Sequence, residues 1–133
     1  MSVAFAGTSF YLALVNAADD HHDAAVEWIA RSRDRIVTTE YVLVELGNAL
    51  SVRRSRYVFA QLLQKIREDR RTSIVFATSS LFERGSRLYL DRPDKDWSLA
   101  DCLSFVVMGR RRIRRALTAD RHFVQAGFET LLS

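Results

Sequence analysis

Four short β-like runs punctuate this chain: Val3 to Ala6, Ile36 to Thr38, Ser73 to Phe76 and Arg115 to Thr118. Between them lie segments whose apolar residues recur at helical spacing, with Phe128 to Leu132 read as a last strand. Strands always separated by helices cannot pair as tight hairpins; they pair in parallel and need helices on both faces. The expected fold is therefore a three-layer α/β/α sandwich around a parallel, roughly five-stranded sheet. A length of 133 residues fits a single domain, 1–133.

The helical segments follow from their own punctuation. Phe10 to Val15 reads as a short helix, and Asp19-Asp20-His21-His22-Asp23 opens another through Trp28 and Ile29, with Asp20 as its cap. Thr39 caps a helix over Glu40 to Val52, and Ser55 caps one carrying the stripe Phe59, Leu62, Leu63 and Ile66. Ser79 or Ser80 starts a helix to about Leu90, and Pro93 marks a polar loop. Leu99 to Met108 is apolar almost all round and predicts a buried helix. Since that helix offers little surface, the Phe59 stripe, joined by Tyr57, is the expected partner-facing surface of a homodimer.

Composition narrows the function classes. Hydrophobic residues make up 48% of the chain, with eight Phe and two Trp, which is enough for a core without staples. Cys102 is the only cysteine, so no internal disulfide can form. No run approaches the length of a membrane span, and Met1-Ser2-Val3 does not open a signal peptide, so a cytoplasmic protein is expected. The net charge is +4, supplied almost wholly by Arg, whose planar fork pairs bidentately with phosphate. Such a balance favours nucleic acid or an acidic protein partner.

Three acids carry the candidate chemistry: Glu45, Asp101 and Asp120. Glu45 falls at the border of the helical stripe Val42, Leu46, Ala49 and Leu50, where a carboxylate is expected to be partly buried, needing a partner or a metal. Asp101 stands in Ser98-Leu99-Ala100-Asp101, which has the spacing of a capping box, so capping and catalysis compete for it. Asp120 follows a strand where a helix begins, and favouring the helix dipole is its competing role. In open parallel sheets ligands bind beyond the carboxyl ends of strands, which is where Asp120 and the Ala6-Gly7-Thr8-Ser9 junction fall. Carboxylates meeting there repel unless cations neutralise them, and oxygen ligands suit Mg²⁺ or Mn²⁺.

Other polar clusters carry less. His21 and His22 are neighbours on a helix and point about 100° apart, so they do not share an ion easily. His122 reads as a packed or solvated histidine, with RNA contact the alternative; Cys102 reads as core and Asp96 as loop surface. The block Arg110-Arg111-Arg112-Ile113-Arg114-Arg115 is either a solvated turn or a contact for RNA phosphates or an acidic partner.

Three segments together resemble the PIN domain, in the toxin (VapC-like) ribonuclease branch: Thr38-Thr39-Glu40-Tyr41-Val42-Leu43-Val44-Glu45-Leu46, Asp96-Trp97-Ser98-Leu99-Ala100-Asp101-Cys102-Leu103-Ser104-Phe105 and Ala116-Leu117-Thr118-Ala119-Asp120-Arg121-His122-Phe123. The opening Gly7-Thr8-Ser9-Phe10-Tyr11-Leu12 resembles it too, except that the family has Asp where this chain has Gly7. The resemblance implies a metal-dependent endoribonuclease of a toxin–antitoxin pair, working with Mg²⁺ or Mn²⁺, forming homodimers and neutralised by a small antitoxin. It implies Glu45, Asp101 and Asp120 around the metal, with position 7 the missing fourth acid and Thr8, Ser9 and Thr118 in support. Arg110, Arg111 and Arg112 are the expected RNA contacts. With a ligand lost at Gly7, weak or absent activity is expected. The alternatives are a degenerate PIN domain that only binds RNA or protein, and a DNA-directed nuclease of the same fold.

Overall fold

A computed structural model describes residues 2–132. Its elements, in chain order, are β1 (Val3–Ala6), α1 (Thr8–Val15), α2 (His22–Arg31), β2 (Arg35–Thr39), α3 (Glu40–Ala49), α4 (Arg56–Glu68), β3 (Thr72–Val75), α5 (Ser79–Asp91), α6 (Leu99–Arg111), β4 (Arg115–Leu117), α7 (Arg121–Gln125) and β5 (Glu129–Thr130). The five strands form one sheet in the order β3-β2-β1-β4-β5, and every pair is parallel. The chain moves outward from β1 to β3 on one side, then crosses back to β4 and β5 on the other. Right-handed crossovers in opposite directions place their helices on opposite faces, which gives the three layers. The direction reverses between β1 and β4, so the carboxyl ends of these two strands frame the switch-point crevice.

The central strand is buried on both faces: Ala4, Phe5 and Ala6 have no exposed surface. Phe5 meets Phe123, which stacks edge-on against Phe105 at 4.9 Å, and Phe105 in turn meets Trp97 at 5.1 Å. Phe10 packs edge-on against Trp28. Gly85 lets α5 lie close on α6, since a Cβ there would overlap the Leu103 side chain. Helix α6 is buried from Cys102 to Phe105 and again at Val107 and Met108, as its composition predicts. Among the described residues no helix is long and apolar enough to cross a membrane.

Several local expectations are corrected. Helix α2 is capped at His21, not Asp20; the turn before it is set by Asp19, whose Oδ1 accepts from the His21 backbone N–H at 2.8 Å. Helix α3 ends at Ala49 rather than Val52, because a 3₁₀ turn at Arg53–Ser55 redirects the chain into α4. Ser55 precedes α4 without a side-chain cap bond, whereas α5 does start at Ser79, with Thr78 capping it by accepting from Leu81 N–H at 3.0 Å. The last strand shrinks to Glu129–Thr130. The stripe on α4 is mostly taken up by the chain's own core: Leu62 and Ile66 belong to it, with Phe59 packed against it and its ring lying over Gly47, while Leu63 is half-buried. Tyr57 alone of that group is exposed, at 64%.

Candidate active site and metal centre

The carboxyl ends of β1 and β4 lead directly into α1 and α7, and these turns build a crevice of about 240 Å³. Gly7, Thr8, Ser9, Glu45, Asp101, Thr118 and Asp120 all line it, so the positions named from sequence converge although they span most of the chain. Buried threonines fix the frame. Thr38 Oγ1 donates to Ala6 carbonyl at 2.8 Å, tying the end of β2 to the end of β1. Thr39 Oγ1 accepts from Val42 N–H at 3.1 Å and so starts α3, the helix that presents Glu45. Ser9 and Thr118 hydroxyls share a hydrogen bond of 3.0 Å, and Thr118 Oγ1 also accepts from Asp120 N–H at 3.1 Å. That pair closes the start of α1 onto the end of β4.

The two aspartates serve their helices and the crevice at once. Ser98 and Asp101 form a full capping box: Ser98 Oγ accepts from Asp101 N–H at 3.0 Å, and Asp101 Oδ2 accepts from Ser98 N–H at 3.1 Å. Asp120 caps α7, its Oδ1 accepting from His122 N–H at 2.9 Å. Both competing roles raised by the sequence are therefore present. They use one oxygen of each carboxylate, leaving Asp101 Oδ1 and Asp120 Oδ2 without a hydrogen bond among the described residues. Two anions this close would repel each other in a partly dry site.

His122 stands between them. Its Nδ1 lies 3.1 Å from Asp101 Oδ2 and 3.5 Å from Asp120 Oδ1, and its side chain is only 21% exposed. Ligand atoms of Asp101, Asp120 and His122 all fall within 4.8 Å of one another, a group able to hold a metal ion. Reading His122 as a merely packed or solvated histidine missed this. The signal available was its place two residues after a helix-capping acid, where the first turn folds its ring back over the cap.

Glu45 departs from expectation in another way. It is exposed rather than partly buried, standing at the rim of the crevice, and its Oε1 accepts from Thr8 Oγ1 at 2.6 Å. Gly7 precedes α1 with extended backbone (φ −93°, ψ 179°) and offers no side-chain cap. A Cβ at position 7 would meet nothing within 4 Å, so the space for a carboxylate is open. Cys102 is core as expected; burial, then the Asp101 charge, push its thiol above the usual range and leave it inert.

Arg110, Arg111 and Arg112 lie elsewhere. They end α6, whose first turn carries Asp101, and ten residues of helix separate Asp101 from Arg111 by about 15 Å. Arg112 takes the left-handed conformation (φ 57°) that closes the helix, and Ile113 N–H bonds Met108 carbonyl at 2.9 Å. Arg110 and Arg111 line a different cavity with Phe76 and Thr78.

Comparison with known proteins agrees with this geometry. The 23S rRNA-specific endonuclease VapC20 of Mycobacterium tuberculosis is 31% identical over 124 residues, 93% of this chain and 94% of its own length. Ribonuclease VapC26 of the same organism is 29% identical over 117 residues, 87% of this chain and 86% of its own. The crystal structure of M. tuberculosis VapC20, a Sarcin-Ricin loop cleaving toxin, matches with a TM-score of 0.85 at 29% identity and covers 96% of each chain. VapBC2 from Rickettsia felis, bound to a DNA fragment from its promoter, shares the fold at a TM-score of 0.68 and 16% identity, over 96% of each chain. A family model described as the PIN domain matches residues 5–129, and the chain accordingly belongs to the PIN domain family.

Proposed function

We propose that this chain is built as a metal-dependent endoribonuclease, the toxin of a toxin–antitoxin pair, acting in the cytoplasm. The observation that carries this reading is the meeting of Asp101 and Asp120 at the switch point, each with one oxygen uncommitted, beside Glu45. Relatives that are rRNA-specific and ribonuclease VapC proteins support RNA as the substrate. The donor set fits a divalent cation, Mg²⁺ or Mn²⁺, with Asp101 and Asp120 as ligands and His122 within reach. An imidazole in that set favours Mn²⁺ over Mg²⁺. When bound, the ion would supply Lewis acidity toward the scissile phosphate and lower the pKa of a bound water.

The chain's own residues have separate tasks. Thr8 holds Glu45 by one oxygen, leaving Oε2 free to accept a proton from water at the crevice mouth. Ser9 and Thr118 keep the two strand ends at fixed spacing. A small antitoxin would bind so as to cover this mouth, and the functional unit would be a homodimer. Arg110, Arg111 and Arg112 would contact RNA beyond the crevice.

A second reading is favoured by one specific observation: the open space at Gly7, where the family's first acid is missing. On that reading the chain keeps the fold and binds RNA or protein without cutting. Cleavage of a mixed RNA pool, with and without Mg²⁺ or Mn²⁺, separates the two when run on this chain and on Gly7→Asp. Metal-dependent cleavage that appears or rises with Gly7→Asp supports the nuclease. Absence of cleavage in both, with RNA still bound, establishes the binding module.

A further inference from the structure

The opposite end of the sheet carries a second, larger cavity of about 630 Å³, lined by Arg31, Arg33, Arg35, Arg70 and Arg71 together with Ile29, Ala30 and Ser32. We propose that it is a binding site for the phosphate backbone of the RNA substrate, separate from the crevice. The identity of the polyanion rests on the ribonuclease reading; the existence of an anion site does not.

The arginines arrive from three places and are locked together by one of them. Arg31 ends α2 and Arg33 follows its C-cap, Arg35 opens β2, and Arg70 and Arg71 precede β3, which pairs with β2. Arg71 is structural. Its guanidinium donates to Ser32 carbonyl at 2.5 Å and to Ile29 carbonyl at 3.2 Å, closing the end of α2, and it lies 3.8 Å from Asp69. Arg31 pairs loosely with Glu27. Arg33, Arg35 and Arg70 are exposed and have no side-chain partner among the described residues, and no carboxylate lines the cavity. Like charges held side by side cost stability, and a polyanion relieves that cost.

Three features select RNA over a protein partner. Protein hot spots combine arginine with Trp and Tyr, and no aromatic residue lines this wall. Arg presents the fork that matches phosphate oxygens. Most telling is the crevice itself: its lining has Glu45, Asp101 and Asp120 but no Lys or Arg. A site so constituted repels phosphates until a metal is bound, so affinity for the backbone has to be generated elsewhere. The cavity opens at the start of β2 and β3, and the length of the neighbouring β1, four residues or about 13 Å, separates the two ends of the sheet.

The test is RNA binding without added metal. A fluorescein-labelled RNA hairpin with a single-stranded tail is titrated by anisotropy across a KCl series. Arg33→Ala/Arg35→Ala/Arg70→Ala should bind roughly tenfold more weakly, and its slope of log affinity against log salt should be smaller by about two. Arg53→Ala/Arg54→Ala/Arg87→Ala removes the same charge from exposed positions off the cavity wall and should change both far less. Equal losses in the two variants would reduce the effect to net charge and overturn the proposal, as would an unchanged slope in the first. If a poly-glutamate peptide needs the three arginines while RNA does not, the cavity belongs to an acidic protein instead. RNA that is bound through these arginines but is cut neither by this chain nor by Gly7→Asp once Mg²⁺ or Mn²⁺ is added supports the site while refuting the nuclease.

Discussion

The two ends of the sheet hold opposite charge, and they use it differently. At the carboxyl end α1, α6 and α7 begin, and the carboxylates of Asp101 and Asp120 sit at the positive ends of helix dipoles. At the amino end α2 and α4 finish, and guanidinium groups sit near the negative ends. Helix polarity favours this arrangement without imposing it, since Asp69 stands at the C-cap of α4 beside Arg71. What differs is what remains after the helices are served. The acids keep one oxygen each inside a partly enclosed crevice, which is what a small hard cation requires. The arginines keep whole side chains on an open surface, which is what an extended polyanion requires.

The largest expected effect breaks the acidic end. Gly7→Asp should raise Mn²⁺ affinity and RNA cleavage together by about 10- to 100-fold, because the added carboxylate enters open space beside the other two. Adding Asp101→Asn to it should cancel the gain; calorimetric titration of metal alongside a cleavage assay reads both. A gain that survives Asp101→Asn would mean the two positions do not share a site.

At the arginine end the corresponding change acts on the fold. Arg71→Ala leaves two carbonyls at the end of α2 without their donor and should cost about 2 kcal/mol in urea unfolding. Gly7→Asp should leave the same transition almost unmoved. Equal stability loss at both would erase the distinction between a structural arginine and a purely chemical position.

The smallest effect sharpens the metal side. His122→Ala should lower Mn²⁺ affinity about tenfold and Mg²⁺ affinity less. Parallel titrations of the two ions check it, and identical losses would show that the imidazole is not a ligand.

Much of this molecule was legible in sequence because its determinants are local. Ser98 and Asp101 announce their capping box by spacing, and Val3 to Ala6 announces a strand buried on both faces. Three of the four site positions, 7, 101 and 120, sit where a helix begins, while Glu45 lies inside α3 on the border of its apolar stripe. What stayed hidden depends on distant partners. The stripe of Leu62 and Ile66 shows that a face is buried, but not that its own core buries it. Glu45 reads as a boundary residue, yet Thr8, 37 positions away, draws it to the rim. His122 acquires meaning only when α6 brings Asp101 to it. The arginine cavity joins residues near 33 and near 70, which meet because β2 and β3 pair in register.

The double duty of Asp101 and Asp120 bears on how such a chain would drift once cleavage ceased to matter. Replacing Asp120 by a residue that cannot cap removes the cap of α7, a loss of about 1 kcal/mol, and replacing Asp101 removes its half of the capping box on α6. Position 7 makes no side-chain cap bond, and a Cβ there would meet nothing within 4 Å. Relaxed selection would therefore empty position 7 first while the two capping acids persist as relics with a second employment. A library screened for folding alone should accept nearly any small residue at 7 and resist change at 101 and 120, so an intact pair of aspartates is poor evidence of a working nuclease.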